Sequence, residues 1–322
     1  MKKKDAHLAA RLYRMILLAA LLAAGLLATG FHLLGAVSGP AAVILGLVTV
    51  FGGHALVLGV EFALVSRLNA ARPVLAAYPV LGTALPLLVT WLVEVPSAWR
   101  TFFFAIPFFG HRPLASGRDF SKTPVVLLHG YTCNRAVWRP FASWLAGQGY
   151  AITAPNLEPL TESIDLLTGQ IDAAVNDLKN QTGASQVALI GHSMGGVAIR
   201  AYLRDYGSAS ISRVITVGSP HQGTWLARIA FTPLARELNL NSEWLRKLAA
   251  TESDQTGQLF STIVSTDDNI IAPASIQTLP ASKVVFFRGL GHVDLIYRLS
   301  VWVAIRSALT AKNQLENESP KK

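Results

Sequence analysis

Residues 187–202 read VALIGHSMGGVAIRAY, and the stretch changes character at its centre. Before Ser193 it is an unbroken apolar run of the kind that forms a buried strand. After Ser193 it has the spacing of a helix. A strand that passes straight into a helix must turn sharply at the serine. Only small residues fit two places before and two places after, where Gly191 and Gly195 stand. Such a turn lifts the hydroxyl off the sheet edge and sets it at the positive end of the following helix. Ser193 is therefore a candidate nucleophile, and the stretch predicts a strand–helix architecture.

The residues downstream of Thr123 repeat that rhythm. PVVLLHG, YAITAPN, QVALIGH, ISRVITVGS, GQLFSTIVS and KVVFFRG are strand candidates. NRAVWRPFASWLAGQG, TESIDLLTGQIDAAVNDLKNQTG and the final VDLIYRLSVWVAIRSAL have helical spacing. Apolar strands alternating with helices predict an α/β domain with a mostly parallel sheet covered by helices on both faces. In such a sheet reactive groups collect beyond the carboxyl ends of the strands, where Ser193 falls. The insertion between Thr224 and Thr256 breaks the rhythm. It carries Trp225, Leu226, Phe231, Leu238 and Trp244, and reads either as a cover over an apolar pocket or as two helices packed on the domain.

A serine hydroxyl is a weak nucleophile at neutral pH and needs a base oriented by a carboxylate. Of the eight histidines, His7, His32 and His54 lie in or beside the apolar N-terminal runs. His111 stands at the domain entry and His129 in the first loop. His192 adjoins Ser193, so the turn is expected to point it elsewhere, and His221 reads as loop support. His292, in FFRGLGHVDL, follows the last strand and opens the last helix, where a base from the far end of the chain can meet Ser193. For the acid, STDDNIIAP offers Asp267 and Asp268. Asp268 is preferred because it begins an Asp-x-Ile-Ile run that would anchor the loop in the core. Asp294 sits in a first helical turn, where an acid commonly complements the helix dipole. The oxyanion of a tetrahedral intermediate needs two donors. The backbone N–H of Met194 and that of Tyr131, in LLHGYTCN, are the candidates. Cys133, the one cysteine, precludes an internal disulfide and reads as a small buried residue.

Upstream of residue 111 the composition is different. The whole chain of 322 residues is 51% hydrophobic and 15% charged, too apolar for an ordinary soluble globule. Three runs of about 20 residues, 15–37, 41–60 and 74–93, predict three membrane-spanning helices. Basic residues flank the first run and lie between the second and third, including Arg11, Arg14, Arg67 and Arg72. A three-span reading of this bias puts everything after the third span on the outer, periplasmic side of a bacterial inner membrane. WRTFFFAIPFFG, residues 99–110, is too short to cross again and reads as an aromatic interfacial linker or as a strand packed on the domain. The expected organisation is a membrane region over 1–110, an α/β domain over 111–311 and a polar tail over 312–322. The net charge of +9 forms no long basic stripe, so nucleic acid is not an expected partner.

VVLLHGY, LIGHSMGG, ITVGSPHQGT, STDDNIIAP and GLGHVDLIY, in that order, resemble the α/β-hydrolase superfamily, and within it the small bacterial lipases and esterases. The resemblance covers roughly residues 123–310. It implies a Ser193, Asp268, His292 triad, an oxyanion hole at Tyr131 and Met194, and hydrolysis of a carboxylic ester without cofactor. No calcium site of the larger lipases is matched, so no metal is expected. Lipid-like or small esters are the implied substrates. A thioesterase, acyltransferase or peptidase would use the same triad, and a non-catalytic membrane-bound binding module is the alternative from another class. The N-terminal spans depart from the small secreted lipases and suggest a tethered enzyme.

Overall fold

All six strand candidates enter one parallel sheet in the computed structural model, which describes residues 7–35, 37–70, 80–82 and 85–311. They are β2 (Val125–Leu128), β3 (Ile152–Thr153), β4 (Val187–His192), β5 (Ile211–Val217), β6 (Phe260–Ser265) and β7 (Lys283–Phe287). A seventh strand, β1 (Val80–Leu81), comes from the N-terminal region and pairs in parallel with β7. The order across the sheet is β1-β7-β6-β5-β4-β2-β3. β4 is six residues long, and every residue from Val187 to His192 is buried, as a strand covered on both faces requires.

Alternation along the strands splits the core in two. Val126, Leu128, Val187 and Leu189 face α6 (Thr168–Thr182) and α7 (Met194–Tyr206). Val125, Leu127, Ala188 and Ile190 face α5 (Arg139–Ala146) and α11 (Leu299–Thr310). Gly183 stops α6 in the left-handed conformation, φ 73°, as the glycine near the end of that segment predicts. The insertion forms short helices, α8 (Pro233–Glu237), α9 (Glu243–Ala249) and α10 (Asp254–Gln258). Leu234, Leu238, Leu245 and Leu248 are buried in the core beside α7, so this segment packs on the domain as ordinary helices.

Ahead of the sheet stand α1 (Leu8–Leu33) and α2 (Gly39–Ala70), packed as a hairpin. At 1.5 Å per residue they are about 39 and 48 Å long, enough to cross a ~30 Å hydrocarbon layer. Gly46 lets the two backbones close up, since a Cβ there would lie 2.3 Å from the Ala24 carbonyl oxygen. Ala24, Ala28 and Ala42 line the same seam, the small-residue contact typical of helices in lipid. Leu18, Leu22, Leu26, Val43, Ile44 and Val48 are exposed on the outside of the pair.

Both feet of the hairpin stand on the sheet domain. The Glu158 carboxylate accepts hydrogen bonds from the backbone N–H groups of His7 and Leu8, at 3.0 and 2.8 Å, and so caps α1. Asn69, near the end of α2, donates to Thr266 O and accepts from Ala274 N.

The expected third span, 74–93, is not one continuous helix among the described residues. Residues 74–79 and 83–84 lie outside the described residues, but Val80–Leu81 are sheet edge and α3 (Leu87–Trp99) is a 13-residue helix. The run is divided between a sheet edge and a helix: Leu81 O accepts from Arg288 N, Leu85, Leu88 and Leu92 are exposed, and α3 packs on α2 beyond the run, through Val95 and Ala98. Among the described residues two helices are long and apolar enough to cross a membrane. The expected outer placement of the later domain, which needs three such helices, is not supported. The aromatic segment continues α3 as a wide π-type turn (Arg100–Ala105) into α4 (Ile106–Phe109), and is helical, not a strand. The N-terminal lysine cluster and the polar tail, 312–322, lie outside the described residues.

Replacing Glu158 with alanine removes the cap of α1. The expected cost is about 1–2 kcal/mol, read as a lower melting temperature of the detergent-solubilised protein. An unchanged melting temperature would show that the cap is not stabilising.

Candidate active site

Between β4 and α7 there is no loop. Ser193 is the single residue that joins them, and it holds φ 56°, ψ −129°, a region that L-residues rarely occupy. The surrounding glycines show why. A Cβ at Gly191 would lie 2.5 Å from Gly196 N, and one at Gly195 would lie 2.5 Å from Leu128 O. Both contacts are to backbone and cannot yield. Ser193 N donates to Val217 O on β5, which ties the turn to the next strand.

Asp268 and His292 meet as the sequence predicts. Nδ1 of His292 donates to Oδ2 of Asp268 at 2.8 Å. The other oxygen of Asp268 accepts from the N–H groups of Ile270 and Ile271, at 2.8 and 2.7 Å, so the Asp-x-Ile-Ile run is the anchor of its own aspartate. Asp268 is fully buried. Asp267 points away and accepts from Gly289 N and the Thr266 hydroxyl. Asp294 is engaged by Arg298 and Ser97. Burial depresses the His292 imidazole. The Asp268 charge and hydrogen bond outweigh it, with Glu94 and Glu61 adding to them, so its pKa stands above the ordinary histidine value.

Ser193 and His292 line one cavity of about 260 Å³. Tyr131 lines it too, and its backbone N–H has no hydrogen-bond partner among the described residues. Met194 is the first residue of α7, so its N–H has no acceptor within the helix. His129 fixes the loop between them. Its Nε2 accepts from Leu157 N at 2.8 Å, which leaves Nδ1 to donate to Gly130 O. Burial pulls its pKa down to about 4, so the ring is neutral.

Three features of the cavity escape the sequence reading. His192 does not point elsewhere: its Nε2 donates to His292 O at 3.1 Å, and the two rings lie 4.7 Å apart between centroids. Glu94, on α3, is fully buried and accepts from Val293 N and Asp294 N, both at 2.8 Å, directly after His292. His54 and Glu61, on α2, form part of the wall, and Glu61 accepts from Asn269 Nδ2 while Asn269 Oδ1 accepts from His292 N. The insertion, by contrast, contributes nothing to this lining. His221 sits away from Ser193 with its Nε2 at Thr216, in the supporting role expected of it. Cys133 is buried in the cavity wall, and burial raises its thiol to about 12. It is no nucleophile at neutral pH.

With this geometry in hand, the comparison with known proteins is direct. A family model described as the alpha/beta hydrolase fold matches residues 123–256. The chain has the α/β-hydrolase fold. The hydrolase domain is similar to a triacylglycerol lipase of Pseudarthrobacter phenanthrenivorans, 28% identical over 178 residues, 52% of this chain and 53% of that protein. The chain spans about half the length of the curated relatives it matches. Among solved structures, the mature lipase BlEst2 of Bacillus licheniformis superposes with a TM-score of 0.52 at 18% identity, over 62% of this chain and 96% of that one. Aspergillus fumigatus lipase B gives 0.54 at 19%, over 62% and 56%. The N-terminal hairpin lies outside the matched family segment.

Glu94 gives the hydrolase domain a pH dependence of known sign. Burial raises its pKa from 4.5 to about 7, against the two backbone donors that lower it. Between those values the folded protein holds a proton that the unfolded chain has lost. Stability therefore falls as pH rises through the window, by about 1.4 kcal/mol per unit and roughly 3 kcal/mol across it. Glu94→Gln flattens that slope in melting curves taken from pH 4.5 to 7; a slope identical in both proteins would refute the assignment.

Proposed function

We propose that this protein is a membrane-anchored serine hydrolase that cleaves carboxylic esters of lipid-like molecules through an acyl-serine intermediate. One observation carries the reading: the 2.8 Å Asp268–His292 pair opens into the same cavity as a serine held in a strained strand-to-helix turn. The lipase relatives support the substrate class, and the two apolar helices support the anchoring.

In this scheme His292 Nε2 takes the proton of Ser193 as Oγ attacks the ester carbonyl carbon. The carbonyl π pair moves to oxygen, and the N–H groups of Tyr131 and Met194 hydrogen-bond the resulting oxyanion, the position such donors must occupy. Collapse of the intermediate breaks the bond to the alcohol, which leaves with the proton from His292. Water then attacks the acyl-serine as His292 takes its proton, and collapse breaks the bond to Ser193 Oγ, which regains that proton from His292 as the acid departs. Asp268 accepts from Nδ1 and holds the imidazole with Nε2 toward the serine. Each step moves protons and an acyl group only.

A fluorophosphonate probe tests the nucleophile. It is expected to label the intact protein and to fail on Ser193→Ala. A folded wild-type protein that does not label removes the serine-hydrolase reading. The second part of the proposal is sidedness. The α1–α2 connection carries no Lys or Arg, whereas Arg11, Arg14 and Arg67 lie toward the feet of the hairpin. The positive-inside bias then places the hydrolase domain on the cytoplasmic face. Protease added to sealed right-side-out vesicles should leave the domain intact and should digest it in inverted vesicles; the reverse pattern would overturn this placement.

A further inference from the structure

The hairpin does more than approach the hydrolase domain. His54, Leu58 and Glu61 are spaced at i, i+4 and i+7 on α2, so they share one helix face. All three line the cavity that holds Ser193, while Leu56, Val57 and Val60 are exposed on the other side of the helix. His54 is fixed in place by Trp99, whose Nε1 donates to its Nδ1 at 3.1 Å. Phe102, from the π-type turn, lines the same cavity and packs on the cluster that holds Ala55 and Leu58.

Acidic side chains line this cavity beside its histidines. Glu61 and Glu94 line it, and no Lys or Arg does among the described residues. The two carboxylates differ in how they are engaged. Both oxygens of Glu94 are taken by backbone N–H groups. Glu61 accepts from Asn269 through Oε2 alone, and its Oε1 has no hydrogen-bond partner among the described residues. A carboxylate oxygen is thus left to the contents of the cavity. It would accept a charge-assisted hydrogen bond from an alcohol hydroxyl and repel a phosphate brought to the same place.

We propose that α2 is a wall of the substrate pocket and that Glu61 determines specificity, admitting esters whose alcohol part is uncharged and hydroxylated and turning away those with a phosphate beside the scissile ester. Leu58, Phe102, Val137 and Ile296 supply the apolar surface for the chain. The proposal rests on Ser193 as the nucleophile. It adds that a membrane helix, and not an insertion of the hydrolase domain, selects the substrate.

The test uses the full-length protein in mixed micelles containing either dioleoylglycerol or dioleoylphosphatidylglycerol, with fluorophosphonate labelling as a separate measure of the serine. Wild type is expected to favour the neutral diester in kcat/KM by roughly tenfold or more, the scale of a like-charge clash in a desolvated site. Glu61→Gln keeps an acceptor for Asn269 and removes the charge. It should raise the phosphatidylglycerol to diacylglycerol ratio by about tenfold. A labelled wild-type enzyme that cleaves both lipids equally, or neither, overturns the proposal, as does a labelled Glu61→Gln with an unchanged ratio. A wild-type protein that does not label instead removes the serine-hydrolase reading beneath it.

Discussion

Ser193 is held at φ 56°, ψ −129°, in a conformation that costs of order 1–3 kcal/mol. The packing around it leaves no alternative. Gly191, Gly195 and Gly196 press against Gly196 N, Leu128 O and Ser219 Oγ at distances that no side chain could occupy. β4 is central to the sheet and buried along its whole length, so it cannot slide to relieve the turn. The position of the hydroxyl, of the Met194 N–H and of the cavity itself all follow from this one constrained residue.

The loop that carries His292 is fixed by groups from three separate parts of the chain. Asp268 and Asn269 come from the end of β6, His192 from β4, and Glu94 and Glu61 from the N-terminal helices. Glu94 satisfies N–H groups at the start of a short helical turn, and Glu158 does the same for α1. These two carboxylates work in opposite directions, one reaching from the helical region into the sheet domain and one from the sheet domain into the helical region. The two regions are consequently a single packed unit around the cavity, and the hairpin takes part in building it.

Much of the domain was legible in its sequence because its signals are local. Six strands, the Ser193 turn and the Asp268–His292 pairing each rest on residue types within a few positions. The third span misled because a continuous apolar run does not show where its secondary structure changes; Val80 and Leu81 belong to a sheet edge that nothing nearby announces. His192 was misjudged because its direction depends on where a loop 100 residues later comes to rest. Glu61 and His54 did leave a trace. They interrupt the otherwise apolar stretch from Phe51 to Val65, and polar residues within a membrane-spanning segment are expensive unless they have a task. The partner that gives Glu61 its task, Asn269, lies 208 positions away, and no local pattern links the two.

The Glu158 clamp has a consequence for biogenesis. The acceptor for the first turn of α1 lies 150 residues downstream of it. At translation rates of about 5–20 residues per second, the start of α1 is made roughly 8–30 seconds before its acceptor exists. During that interval the open amide groups at the helix start have only water or lipid headgroups to bond. The final seating of α1 on the sheet domain therefore follows synthesis of Glu158 and is timed by the ribosome's progress through that domain.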